Sequence, residues 1–189
     1  MTSLDQLLFL WLNATPATPA GLITLALWFS EALPTVALLA LIPMALAGPR
    51  ARKQVLGAVL AMLLAWLAVR GLRCVFDMPR PFTLGLGHQW LEHAGTPSFP
   101  SYHAAVSAAW SAGLVFHARR NLRAWVLMAG GVTLAIGWSR VFLGLHFVSD
   151  VAMGLALGVS CALLARQCIN SAAWWLKSVR SRQVGSEIR

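Results

Sequence analysis

The sequence predicts an all-α, polytopic membrane helix bundle, with about five transmembrane helices and an N-terminal interfacial helix. Three observations predict it. Of its residues 58% are hydrophobic and 11% charged, and the mean hydropathy is +0.68, outside the range of soluble globular chains. Apolar runs of membrane-crossing character alternate with short polar connections. Lys and Arg flank those runs, so the net charge of +9 indicates membrane orientation and anionic lipid rather than nucleic acid. Three cysteines, Cys74, Cys161 and Cys168, are an odd number, so no disulfide framework is implied.

In chain order, Leu4, Leu7, Leu8 and Trp11 fall on one helical face behind a Ser3-x-x-Gln6 capping box. Residues 1–17 are therefore expected to lie flat at the interface. No Lys or Arg precedes Arg50, so a cleaved export signal is not expected. Pro16 and Pro19 interrupt, and span one runs from about Gly21 to Ala47, carrying Glu31, Pro34 and Pro43. A basic loop from Gly48 to Lys53 leads to span two, Val55 to Val69, with Arg70 and Arg73 at its far end. The polar, Gly/Pro-punctuated connection over 75–100 is the longest, and loops of that length are usually functional. Span three runs from Tyr102 to Phe116, and span four from about Leu122 to Trp138. Span five runs from about Asp150 to Cys168, with a Gly154-x-x-x-Gly158 pair for close packing, and 170–189 is a basic tail. The whole of 1–189 reads as one integral membrane domain.

Sidedness follows from the basic residues. Arg50, Arg52, Lys53, Arg119, Arg120, Arg123, Arg166, Lys177, Arg180, Arg182 and Arg189 fall on one side, and Arg70, Arg73, Arg80 and Arg140 on the other. The richer side is expected to be cytoplasmic, with the C-terminus on it. The 75–100 loop and the Ser139–Asp150 stretch then share the opposite, periplasmic or external face of a bacterial inner membrane.

That stretch, SRVFLGLHFVSD, places a hydroxyl, a guanidinium, an imidazole and a carboxylate among apolar residues. Ionisable groups between two spans are costly and mark a site. If the chain is helical from His146 onward, His146 and Asp150 share a face, and the carboxylate can hold the imidazole. Three segments converge on this face: Arg73 with Arg80-Pro81; Pro100-Ser101-Tyr102-His103; and Ser139-Arg140 with His146 and Asp150. Guanidinium groups and a helix N-terminus suit a tetrahedral oxyanion. Phosphoryl transfer asks for positioning, charge neutralisation, a nucleophile and an acid, which His146 and His103 can supply. No metal or other cofactor is required.

The pattern resembles the type 2 phosphatidic acid phosphatase superfamily, whose motifs are Lys-x6-Arg-Pro, Pro-Ser-Gly-His and Ser-Arg-x5-His-x3-Asp. The resemblance covers roughly Arg70 to Ser160. It implies that His146 attacks phosphorus to give a phosphohistidine, Asp150 orients it and His103 protonates the leaving oxygen. It also implies that Arg73, Arg80, Ser101, Tyr102, Ser139 and Arg140 surround the phosphoryl oxygens. Arg73 replaces the motif's Lys, and Tyr102 its Gly. A non-Gly residue there, with Arg-Pro-Phe from Arg80 and Ser-Phe-Pro-Ser from Ser98, is similar to the bacitracin-resistance type, which acts on undecaprenyl diphosphate. The substrate so implied is a polyprenyl diphosphate lipid, with membrane lipids as surroundings. Phosphatidic acid, phosphatidylglycerophosphate or a lipid A phosphate fits the same motifs, with hydrolysis or phosphotransfer as the outcome.

Blander readings stand beside these. Alone, His146 and Asp150 would serve as well as a helix-capping pair. Arg70 reads as an interfacial snorkeller. His88, Glu92 and His93 lack the spacing of a zinc motif and read as solvated loop residues. Trp11, Trp90 and Trp138 fit an outer aromatic belt, and Trp125, Trp174 and Trp175 an inner one. A small anion transporter or channel is the competing class, against which the charged groups gather at one face instead of continuing through the spans.

Overall fold

The computed structural model describes residues 3–118 and 122–187. It is all-helical, and the described residues include no strand. Helix α1 (Ser3–Leu12) is followed by α2 (Ala20–Leu39), α3 (Leu41–Leu46), α4 (Pro49–Val75), α5 (Tyr102–His117), α6 (Leu122–Phe142) and α7 (Val148–Glu187). A single 3-10 turn, Pro81–Leu84, interrupts the long connection between α4 and α5. The sequence also marks His117 to Arg123 as a second basic loop; His117 closes α5, Arg123 lies in the first turn of α6, and residues 119–121 lie outside the described residues.

Among the described residues, four stretches of 18 residues or more are long and apolar enough to cross a membrane: Ala20–Leu46, Pro49–Val75, Leu122–Phe142 and Val148–Trp175. The expected span three is α5, whose 16 residues rise about 24 Å. It is the centre of the bundle, packed on α4, α6 and α7. Its Ala104, Ala105, Ala108 and Ala109 are buried, and the small side chains let neighbours approach to backbone contact. A Cβ at Gly154 or Gly158 of α7 would run into the Ser101 and Ala105 carbonyls, and one at Gly113 into the backbone of Ala58 in α4. On the outer faces of α2, α4 and α6, residues such as Leu22, Leu25, Leu63, Leu67, Leu127 and Leu134 are exposed, as suits lipid contact.

Several boundaries differ from those expected. Span one breaks at Ala40, since Pro43 cannot donate the bond that Leu39 would accept. The expected loop over Gly48–Lys53 shrinks to Gly48, because Pro49 opens α4 and puts Arg50, Arg52 and Lys53 in its first turns. Span four runs on through Phe142, so Ser139 and Arg140 are helical. The stop is Gly144, whose φ of +83° allows its N–H to reach the Val141 carbonyl. The basic tail is helical as far as Glu187, there being no proline to end it. Most consequentially, α7 begins at Val148, so His146 stands in the loop before the helix rather than on its face.

Candidate active site

Two helices end and two begin at one end of the bundle. Arg73 lies in the last turn of α4 and Arg140 in the last turn of α6, where cations complement the helix dipole. Ser101 is the N-cap of α5, and Asp150 lies in the first turn of α7. The connection after α4 folds back over this junction and brings Arg80 and Ser98 into it, both buried.

Asp150 is the hub. Its Oδ2 accepts the Phe147 N–H at 2.9 Å, the return half of a capping box at the start of α7. The same oxygen lies 3.4 Å from His146 Nδ1 and accepts a hydrogen bond from Ser98 Oγ. Ser98 Oγ is in turn 3.2 Å from His146 Nδ1. The Asp150 carbonyl accepts the Ser101 N–H at 3.0 Å, which ties the start of α5 to the start of α7. The carboxylate–imidazole pairing expected from the spacing of four residues is made, but across a loop and a first helical turn.

Arg80 holds the opposite edge of the imidazole. Its Nη1 lies 3.2 Å from His146 Nε2 and donates to the Leu145 carbonyl at 3.0 Å, while Nε donates to the Thr96 carbonyl at 2.8 Å. Burial, together with the nearby Arg73 charge, brings the Arg80 guanidinium down to about 10, with Asp150 pulling the other way; it is a cation at neutral pH. His146 is held well below the ordinary imidazole range, first by complete burial and then by the charges of Arg80, Arg140 and Arg73. It is therefore neutral at pH 7. Arg80 can only donate, so Nε2 carries the lone pair and Nδ1 the proton.

Arg140 is 2% exposed. Its Nη1 donates to Ser30 Oγ in α2, while Nε and Nη2 have no protein partner among the described residues. The Ser101 hydroxyl is likewise buried and unpartnered. Arg73 donates from Nε and Nη2 to the Pro100 carbonyl, at 3.2 and 2.9 Å. The Ser139 hydroxyl is turned back onto the Ile136 carbonyl of its own helix at 2.7 Å, so the structure spends its donor away from the junction.

His103 and Tyr102, their rings edge to face at 6.0 Å, line a cavity of about 200 Å3 that α2, α4, α5 and α6 enclose, with Pro34, Leu38, Met62, Val106, Trp110 and Ile136 as its apolar walls. The charges of Arg140 and Arg73 bear on His103. Arg70 lies outside the junction, its guanidinium 5.0 Å over the Trp66 ring. His88 is exposed, while the half-buried Trp90 ring packs with Leu143 and Leu145 and its Nε1 donates to the Ala14 carbonyl at 2.9 Å.

Sequence reasoning missed two residues, Ser98 and Ser30. Ser98 precedes the second motif by two residues, and no spacing rule singles out its hydroxyl. Ser30 sits in mid-span among apolar residues, and a lone hydroxyl there has no motif spacing that marks it. Glu31 itself is exposed, bearing on Arg140 only through its charge.

Residues 54–174 match the family model described as PAP2 superfamily, a range that contains every motif residue from Arg73 to Asp150. The Escherichia coli (strain K12) protein YbjG, provisionally named an undecaprenyl-diphosphatase, is 33% identical over 171 residues, covering 88% of this chain and 83% of that one. Undecaprenyl-diphosphatase BcrC of Bacillus subtilis (strain 168) is 30% identical over 115 residues, or 61% of this chain and 58% of that one. Among solved structures, Aquifex aeolicus LpxE superposes with a TM-score of 0.70 at 23% identity, covering 88% of this chain and 96% of that one, a likeness of fold. The motif resemblance, the matched family model and the helical architecture agree, and the chain belongs to the PAP2 superfamily.

Proposed function

We propose that the protein hydrolyses undecaprenyl diphosphate to undecaprenyl phosphate and inorganic phosphate, on the external face of a bacterial inner membrane, and so regenerates a lipid carrier for cell-wall synthesis. The observation that carries the chemistry is the chain Asp150–Ser98–His146–Arg80. It fixes a neutral imidazole as the Nδ1–H tautomer, whose Nε2 lone pair is the nucleophile once the phosphoryl oxygens draw off the Arg80 N–H that faces it. What supports the substrate is the likeness to YbjG and BcrC and the apolar cavity beside His103 and Tyr102, which suits the first part of a lipid chain.

In this reading the terminal phosphoryl group sits between Arg140 Nε and Nη2, the Ser101 hydroxyl and the free N–H groups at the start of α5. His146 Nε2 attacks phosphorus, and the bond from phosphorus to the bridging oxygen breaks. His103 gives a proton to that oxygen as undecaprenyl phosphate departs. His103, now basic, takes a proton from water, which cleaves the P–N bond and releases phosphate. Asp150 and Ser98 keep the Nδ1 proton in place and favour the positive charge that develops on the ring. Arg73, Arg80 and Arg140 supply the charge neutralisation that a metal supplies elsewhere.

The test offers purified protein in detergent four lipids side by side: undecaprenyl diphosphate, phosphatidic acid, phosphatidylglycerophosphate and a lipid A phosphate. Phosphate release is measured with and without chelator. Fastest turnover is expected with the diphosphate, unchanged by chelator and abolished in His146→Ala. Preference for another lipid would replace the substrate, chelator-sensitive turnover would overturn the metal-free route, and turnover in His146→Ala would remove the nucleophile.

A further inference from the structure

The loop that carries His146 is held by a segment outside the matched family region. Three contacts bracket it. At its start, the Phe142 carbonyl accepts two hydrogen bonds from beyond the end of α1, from Asn13 Nδ2 at 3.0 Å and from the Ala14 N–H at 2.9 Å. At its end, Asp5 accepts from the Ser149 N–H at 3.1 Å and from the Ser149 hydroxyl at 2.5 Å, a carboxylate on the N-terminal turn of α7. Between them the buried Phe9 ring packs on Phe147, centroids 5.4 Å apart.

Asn13 does more than this. Its Oδ1 accepts the His88 N–H at 2.6 Å, and its Nδ2 also donates to the His88 carbonyl at 3.0 Å. One amide thus joins the loop over 86–90 to the loop over 142–147. Asp5 and Asn13 are both 7% exposed. An amphipathic helix that merely rests at an interface has no need of a buried carboxylate and a buried amide, each bonded to backbone near the same imidazole.

We propose that the N-terminal segment from Asp5 to Ala14 is a positioning clamp, which fixes both ends of the Phe142–Ser149 loop and so holds His146 in line between Arg80 and Asp150. Neither Asp5 nor Asn13 touches the substrate; each acts through the loop. The proposal rests on His146 being the nucleophile only for its kinetic consequence, since the immobilisation of the loop is a property of the fold.

Two readouts on the full-length protein in detergent test it. The first is amide hydrogen exchange. Asp5→Ala and Asn13→Ala should speed exchange over residues 143–149 by about tenfold or more, with α4 and α5 unchanged. The second is the kinetic split on undecaprenyl diphosphate. Since misplacing a reacting group costs up to ~100-fold, kcat should fall about tenfold or more while KM moves less than about threefold. Asp5→Ala and Ser149→Ala should be non-additive when combined, and Asp5→Asn, which keeps an acceptor for the Ser149 N–H, should recover part of kcat. If Asp5→Ala does not fold, the same readouts on Asp5→Asn and Asn13→Ala decide. Unchanged loop exchange, or a loss confined to KM, would overturn the clamp. A parent protein that releases no phosphate would sink the functional reading, and the exchange measurement would still decide the clamp.

Discussion

Arg80 Nη1 stands 3.2 Å from His146 Nε2, so two residues 66 positions apart fix the protonation of one ring. A guanidinium has no lone pair to offer, and the contact exists only if Nε2 is bare. The imidazole is thereby presented as the Nδ1–H tautomer, with Ser98 and Asp150 behind that proton.

A pH dependence follows. An unfolded imidazole titrates near ~6.5, and burial among Arg80, Arg140 and Arg73 lowers His146 well below that in the fold. Between the two values the unfolded chain binds a proton that the folded chain refuses, so stability falls as pH drops below about 6.5. Thermal unfolding of the parent between pH 7 and pH 5 should show a larger loss than that of His146→Gln. Parallel curves would contradict a neutral buried His146.

Ser98→Ala should leave the protein folded but cut kcat by roughly ten- to a hundredfold, since a hydrogen bond to a charged group contributes about 1.5–3 kcal/mol and ~1.36 kcal/mol is tenfold in rate. Asp150 still reaches His146 at 3.4 Å, so the loss should be smaller than in Asp150→Ala. Single-turnover kinetics on the diphosphate lipid check this; equal losses in the two variants would mean that Ser98 is not a separate support.

Gly158→Val should destabilise the bundle by about 1–3 kcal/mol, the usual cost of overpacking, because a side chain there meets the Ala105 carbonyl and Ala108. Gly130→Ala, whose Cβ meets nothing within 4 Å, is the matched control and should be no less stable than the parent. Denaturation in detergent reads the difference.

The sidedness inferred from the basic residues is open to labelling. In a protein without Cys74, Cys161 and Cys168, a reagent that cannot cross membranes should modify Gln89→Cys in intact cells and leave Lys53→Cys untouched. The reverse pattern would put the His146 end of the bundle in the cytoplasm.

Much of this molecule was legible from residue order. Apolar run lengths gave the number of long helices, and the spacing of Arg80, Ser101, His103, Arg140, His146 and Asp150 gave the family, because a motif on helix ends keeps its spacing through the fold. Helix ends were less legible. Gly144 rather than the polar Ser139 stops α6, and a polar residue on a helix that faces other protein does not end it.

The sequence by itself determined the class of fold and the chemical types at the site, since hydropathy and residue identity are local properties. Only the tertiary structure decided which groups meet. It brought Ser98 under His146, Ser30 against Arg140, and Asp5 and Asn13 onto the loop between α6 and α7. Those partners are separated by 48 to 144 residues, and hydroxyls, amides and carboxylates carry no periodicity that announces a distant partner. Their pairing is set by helix packing, through small residues that let α5 and α7 touch, and by the need of each buried polar atom for a bond.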